Sequence, residues 1–257
     1  MGKKIWKMEI KIPNMESIKK HQDYIYLEED YIDKPKDSFF FLNKIIKKYK
    51  KKKLNNLLDV GCAKGEFLFF LSKIYKKNIQ LEGVDYSKKL LKEAKKRKYS
   101  SDIKFYKKNA YNLKLKKKFD FIIVSGVVCY FDKIEFFLKN ILKSLKSNGK
   151  LIIFDNFNKY DVDIILRYRN NKYSKKFEPG WNTHSVETIK RFLNKKKFKI
   201  QEIKKFNLSF KLKKKKDPCR SWHIKINNRQ MFTTGLMQYF DLEALVIGKA
   251  KSHLNKK

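Results

Sequence analysis

The stretch Leu57-Leu-Asp-Val-Gly-Cys-Ala-Lys-Gly-Glu-Phe constrains the fold more than any other part of the chain. Its apolar run, Leu57 to Val60, reads as a buried strand that enters a turn holding Gly61 and Gly65. Gly61 has no Cβ, so the backbone can turn tightly and a ligand can approach it; Gly65 lets the next helix, read as Gly65 to Ile74, start close to the strand. The GxGxxG fingerprint of a nicotinamide site is not matched, because Ala63 and Glu66 fill its second and third glycine positions. Asp59, just ahead of the turn, suits a cationic or amino-bearing ligand better than a pyrophosphate.

Strand and helix patterns alternate from there. Leu81 to Val84, Ile103 to Tyr106, Phe119 to Val124 and Leu151 to Phe154 read as strands, with helices over Lys88 to Arg97 and Ile134 to Leu145, the second ending near Gly149. Such alternation implies a parallel sheet with right-handed crossovers, whose ligands bind in the loops at the carboxyl ends of the strands. Ser185 to Leu193 reads as a helix capped by Ser185, and Lys199 to Phe206 and Leu242 to Ile247 as two further strands. The chain is therefore expected to be one α/β domain: an N-terminal cap over 1–53, a ligand-binding half over 54–156, and a second half over 157–257. Residues 158–184 and 210–241 are expected to be irregular, aromatic-rich covers for a pocket, with Arg167 and Arg169 on a helix.

The formal net charge of +38 raises nucleic acid as a partner, yet only six of the 64 basic residues are arginine. A nucleic-acid groove usually recruits arginine for its bidentate fork, so scattered solvated lysine is the preferred reading and nucleic acid the lesser one. Three cysteines without a CxxC pair fit a reducing cytoplasm. The longest weakly polar stretch, Phe119 to Phe131, is too short to span a bilayer, so no membrane insertion is expected.

Asp59-Val-Gly-Cys-Ala-Lys-Gly resembles motif I of the class I S-adenosylmethionine-dependent methyltransferases. The resemblance runs in order over about Leu54 to Phe154 and implies a Rossmann-like doubly wound sheet of seven strands, mostly parallel with an antiparallel last strand, plus lid segments. It implies S-adenosyl-L-methionine as cofactor, with contacts from Asp59, Gly61, Cys62, Ala63 and Gly65 in the first turn. Asp85 and Tyr86 follow at the ribose, Asn109 and Ala110 at the adenine, and Ser125 at the methionine moiety. Ala63 stands where the family often has glycine, and Asn109 where it often has aspartate. Leu145-Lys-Ser-Asn-Gly-Lys-Leu-Ile-Ile resembles the family's turn into the fifth strand.

Asp155 follows the fifth strand and is a candidate base, as is His184, whose side chain titrates near neutrality. Asp155-Asn156 also resembles part of the metal set of catechol-type O-methyltransferases, but Ser125 replaces a further aspartate of that set, so no metal is expected. Asn156, Trp181, Asn182, Arg220 and Trp222 are candidate substrate contacts, with Tyr24 and Tyr26 as further aromatic walls. Glu178-Pro-Gly-Trp-Asn-Thr-His-Ser and Asp217-Pro-Cys-Arg-Ser-Trp look like a branch associated with bacterial surface polysaccharide synthesis, which implies a small sugar-like acceptor. An RNA or protein acceptor docked on lysine is the alternative.

Overall fold

Strand β1 (Asn56–Val60) is buried along its whole length, and it lies at the centre of the sheet between β2 (Gln80–Asp85) and β4 (Phe119–Ser125), parallel to both. In this computed structural model the described residues are 23, 26–28, 31, 33–50, 56–172, 175–217 and 219–250. Most of the expected N-terminal cap, Tyr24 included, lies outside them. With β3 (Ile103–Lys107) and β5 (Leu145–Asn158), the five parallel strands stand in the order β3-β2-β1-β4-β5. The sheet then continues to β13 (Leu242–Lys249) and β9 (Phe198–Phe206), with β13 antiparallel to both neighbours. This is the doubly wound, seven-stranded Rossmann-like arrangement with its final strand reversed.

The two-residue period of the strands sorts their side chains into two cores. Leu57, Phe121, Ile123, Ile152 and Val246 join one cluster with α1 (Asp37–Tyr49), α2 (Glu66–Tyr75) and α3 (Lys88–Lys96). Leu58, Ile122, Val124, Ile153 and Leu245 join the other, with α4 (Ile134–Ile141) and α5 (Val186–Lys195). Full burial of each such side chain contributes roughly 1.5–3 kcal/mol, which is why a sheet apolar on both faces needs helices on both. Ser87 and Ser185 cap α3 and α5 by accepting the backbone N–H of Leu90 and Glu187. Helix α4 is shorter than its apolar period suggests: a 3-10 turn, Leu142–Ser144, ends it and β5 begins at Leu145.

Two segments expected to be irregular are ordered as small sheets. Between β9 and β13, β10 (Trp222–Ile226), β11 (Arg229–Thr233) and β12 (Tyr239–Phe240) pair antiparallel. The β10–β11 hairpin turns on Asn227 and Asn228, both at positive φ (45° and 62°), the geometry that suits a two-residue hairpin. After β5, β6 (Arg167–Tyr168) pairs with β7 (Glu178–Pro179), so Arg167 stands on a strand and Arg169 just beyond it, not on a helix; β8 (His184–Ser185) then pairs parallel with the end of β5. Three β-branched residues, Val162, Ile164 and Ile165, weigh against helix there, and Asn170 turns the chain by accepting the N–H of Lys172.

Candidate functional site

The turn after β1 is held open by backbone geometry. Gly61 and Gly65 adopt left-handed φ (79° and 72°), and a Cβ on Gly61 would lie 2.4 Å from Val127 Cγ2. Ala63 is also left-handed, at φ 47°, which explains why a glycine is natural at this position. The N–H groups of Gly61 and Cys62 donate to the Val84 carbonyl and tie the turn to the end of β2. There the Asp85 carboxylate accepts the N–H of Ala63 at 2.8 Å and that of Ser87 at 2.8 Å. The side chain is thereby fixed at the mouth of a cleft between the loops that follow β1, β2 and β4.

The cleft encloses about 790 Å³, open mouth included, and Gly61, Ala63, Asp85, Tyr86, Ala110 and Ser125 from the sequence reading lie on its wall. Apolar Val84 and Leu90 join them, with Gly126, Val127, Tyr130 and Phe131 after β4 and Lys108 after β3. Asp23 and Tyr26 line it from the N-terminal side, and Ser87 Oγ donates to Asp23 at 2.8 Å. Asp59, Cys62, Gly65 and Asn109 do not reach the wall. Cys62 packs under the turn, where a Cβ on Gly83 would meet its Sγ at 2.8 Å. Asn109 Oδ1 accepts the N–H of Tyr111 at 2.9 Å, closing a local turn. Burial, followed by the charge of Asp85, pushes the Asp59 carboxyl up to about 7.

Asp155, His184 and Asn182 gather around one backbone segment instead of facing the cleft. Asp155 is buried and accepts the N–H of Cys129 at 3.3 Å and of Asn156 at 3.0 Å. His184, also buried, lies with Nε2 3.2 Å from the Val128 carbonyl oxygen, so that nitrogen carries the hydrogen. Burial holds its pKa below the usual imidazole value, leaving it neutral, while burial raises Asp155 to about 6. Asn182 is fully buried; its amide nitrogen bonds Phe131 O and Asp132, its oxygen accepts Leu166 N–H, and its backbone N–H donates to Cys129 O. Together these side chains grip the 3-10 turn Val128–Tyr130, which carries Tyr130 on the cleft wall.

The other candidates stand further out. Asn156 is buried and donates to Thr183 Oγ1. Trp181, at φ 62°, packs on Phe240, and its carbonyl accepts Gln238 Nε2. It is joined to the cleft through Gly180, where a Cβ would lie 3.2 Å from the Tyr130 ring. Arg220 and Trp222 belong to the β10–β12 insertion and not to the cleft wall; the Arg220 N–H donates to Asp217 O, and Lys214 sits over the Trp222 ring. Among the described residues no group of three or more metal-ligating side chains comes together.

Residues 58–153 match the protein family described as Methyltransferase domain. The chain carries a class I S-adenosylmethionine-dependent methyltransferase domain. Over 150 residues it is 27% identical to carboxy-S-adenosyl-L-methionine synthase of Campylobacter jejuni subsp. doylei, covering 52% of this chain and 61% of that protein. Over 101 residues it is 36% identical to ubiquinone biosynthesis O-methyltransferase of Pelagibacter ubique, covering 38% and 40%. The chain thus spans less than two thirds of the length of these curated relatives. A solved S-adenosylmethionine-dependent methyltransferase of Clostridium acetobutylicum superposes with a TM-score of 0.54 at 14% identity, covering 90% of this chain and 96% of that one, which is a likeness of fold. The methyltransferase domain so defined contains the turn after β1, Asp85 and Ser125, three of the features that shape the cleft. Among the described residues no helix is long and apolar enough to cross a membrane.

Proposed function

We propose that this protein transfers the methyl group of S-adenosylmethionine to an oxygen of a small hydroxylated acceptor. The observation that carries the reading is the Asp85 carboxylate, fixed by two backbone N–H groups at the mouth of a cleft whose other walls are glycine backbone and apolar side chains. That pattern fits an adenosyl group: Asp85 would accept from the ribose hydroxyls, and Val84, Leu90 and Ala110 would give the base apolar walls. Gly61, Ser125 and Gly126 leave room for the methionine portion, and Asp59 supplies negative charge through the turn instead of by contact.

The bound cofactor supplies an already electrophilic methyl group. The chain must then hold an acceptor oxygen in line with it, and orientation of this kind is worth about 7–11 kcal/mol of barrier. Tyr130 is the wall residue that borders both the cofactor cleft and the Gly180–Trp181 strip, so we assign the acceptor to that border. Asp155, His184 and Asn182 act as positioning residues for the turn that carries Tyr130. A sugar or nucleotide-linked sugar is the acceptor class we favour, on the sequence patterns at 178–185 and 217–222; Arg220 and Trp222 are its outer contacts.

The test is incubation with methyl-labelled cofactor and a panel of free sugars, nucleotide sugars, phenols, RNA and a lysine-rich protein. Label in a small hydroxylated molecule, with S-adenosylhomocysteine released, is the expected result. Label confined to RNA or protein, or a cofactor that is itself modified and keeps its methyl group, would sink the proposal.

A further inference from the structure

Ser87 uses both of its donors on carboxylates. Its backbone N–H donates to Asp85 Oδ1 and its hydroxyl to Asp23 Oδ2, each at 2.8 Å, while Oγ also accepts the N–H of Leu90 as the cap of α3. Two acids distant in the chain are thereby bridged by one residue, and both line the cofactor cleft. Like charges so placed repel. Burial raises the Asp85 pKa most, the N–H groups of Ser87 and Ala63 pull it down, and the charge of Asp23 adds to the rise.

Nothing among the described residues relieves this repulsion. Basic residues outnumber acidic ones by 64 to 26, yet neither Asp23 nor Asp85 forms an ion pair among the described residues, although Lys108 lines the same cleft. Asp85 at least has a backbone N–H on each oxygen, whereas Asp23 Oδ1 has no donor among the described residues. A half-buried carboxylate with one oxygen free on a cleft wall suits a ligand that brings hydroxyl or amino donors, and repels phosphate.

The N-terminal segment that carries Asp23 is anchored at two helix starts. Asp23 is tied to Ser87 at the start of α3, and the Tyr31 N–H donates to Glu66 Oε1 at 3.2 Å at the start of α2. Glu66 is buried and is itself held by Lys64 at 3.5 Å and Arg97 at 3.9 Å. Tyr26, between the two anchors in sequence, lines the cleft.

We propose that Asp23 is a cofactor-binding residue whose free oxygen accepts one ribose hydroxyl of S-adenosylmethionine, so that Asp23 and Asp85 divide the diol between them. The inference rests on the ribose lying at Asp85. A diol brings two hydroxyl donors, and two carboxylates bridged by one serine offer an acceptor to each. The sulfonium charge of the cofactor and its lack of phosphate suit the same pair of acids.

The test is calorimetric titration of the full chain, and of its Asp23→Ala, Asp23→Asn and Asp85→Ala variants, with S-adenosylhomocysteine and its 2′-deoxy and 3′-deoxy counterparts. Asp23→Ala should keep the unfolding midpoint, since it loses a single bond to a hydroxyl at a half-buried site, and should bind S-adenosylhomocysteine about tenfold more weakly. Asp23→Asn keeps an acceptor oxygen and should recover most of that affinity. Parent and Asp23→Ala should bind alike the counterpart that lacks the hydroxyl taken by Asp23, and should differ as before on the other one. Unchanged affinity in Asp23→Ala overturns the inference, and so does an equal loss for all three ligands, which would mean an effect of charge or folding without contact. Asp85→Ala that binds like the parent would show that the ribose lies elsewhere, and the ribose placement would then fall together with the inference.

Discussion

Asp59 carries a heavy electrostatic burden at the entry to the turn after β1. It is buried in the central strand beside Gly83 and Ile123, and its carboxyl is pushed up to about 7 by burial and then by Asp85. A folded pKa above the unfolded one means that the native state binds the proton more tightly. The favourable contribution is therefore full below about pH 4 and is lost as pH climbs toward 7, a change of about 4 kcal/mol for three pKa units. Asp59→Asn should flatten that decline and raise the unfolding midpoint of the ligand-free protein above pH 7. It should also weaken S-adenosylmethionine binding and abolish any loss of that binding between pH 8 and pH 6, because only the carboxylate favours a cationic ligand. Melting curves and calorimetric titrations across this range read both effects, and a variant less stable than the parent at pH 8 would contradict the assigned burial cost. Four residues on, Ala63 sits at φ 47°, a conformation that costs an L-residue about 1–2 kcal/mol and glycine almost nothing. Glycine also has more freedom to lose on folding, so Ala63→Gly should gain about 0.5–1 kcal/mol in chemical denaturation and keep cofactor affinity, since the N–H donated to Asp85 remains.

The 3-10 turn Val128–Tyr130 carries Tyr130 on the cleft wall, and its stability comes from side chains distant in sequence. Asp155→Ala leaves the buried Cys129 N–H without its acceptor, which costs about 1–3 kcal/mol. Since Val127 and Tyr130 on this stretch line the cleft, S-adenosylhomocysteine affinity should fall as well. Asp155→Asn keeps an acceptor oxygen and should retain both; equal damage from the two substitutions would show that charge, not the hydrogen bond, is what matters. This turn also marks where sequence reading stops. The strands β1 to β5, the helices behind them and the turn at Gly61 are legible because period and turn chemistry are local, whereas Asp85 and Ser125 are singled out by the family resemblance and not by any local period. His184, Asn182 and Asp155 stood out as polar residues in the right region, but their partners are backbone groups of residues 128–132, and no local pattern reports a contact across 26 to 56 residues. Tyr130, Val127 and Lys108 went unremarked for the same reason: a tyrosine or valine in a loop becomes a wall only when another loop is brought opposite it. The β10–β11 hairpin is different, since Asn227-Asn228 between Ile226 and Arg229 is a local turn signal that the reading of 210–241 as an irregular, aromatic-rich cover passed over.

At the scale of the whole molecule the dominant quantity is a formal charge of +38 on 257 residues. Folding brings these cations closer together than they are in an expanded chain, so the native state is opposed by self-repulsion that salt can screen. Against this stand the surface ion pairs, such as Lys48 with Glu202, Lys146 with Asp120 and Lys190 with Glu187, which salt weakens. The sizes of the two effects decide the sign. Exposed pairs contribute at most about 1 kcal/mol each and often nothing. With 64 basic residues against 26 acidic ones, most cations have no carboxylate to pair with even if every acid is used. Repulsion should win, and sodium chloride raised from about 0.02 M to about 0.5 M, which shortens the screening length well below the molecular diameter, should increase the unfolding midpoint. An uncharged osmolyte that is excluded from protein surfaces also stabilises, but through solvation; its effect should therefore add to that of salt instead of replacing it. Acetylating surface lysines in bulk should reproduce the gain at low salt and remove most of the salt dependence. A midpoint that falls with salt would mean that local pairs outweigh the field, and that the lysine excess is compensated by geometry rather than tolerated.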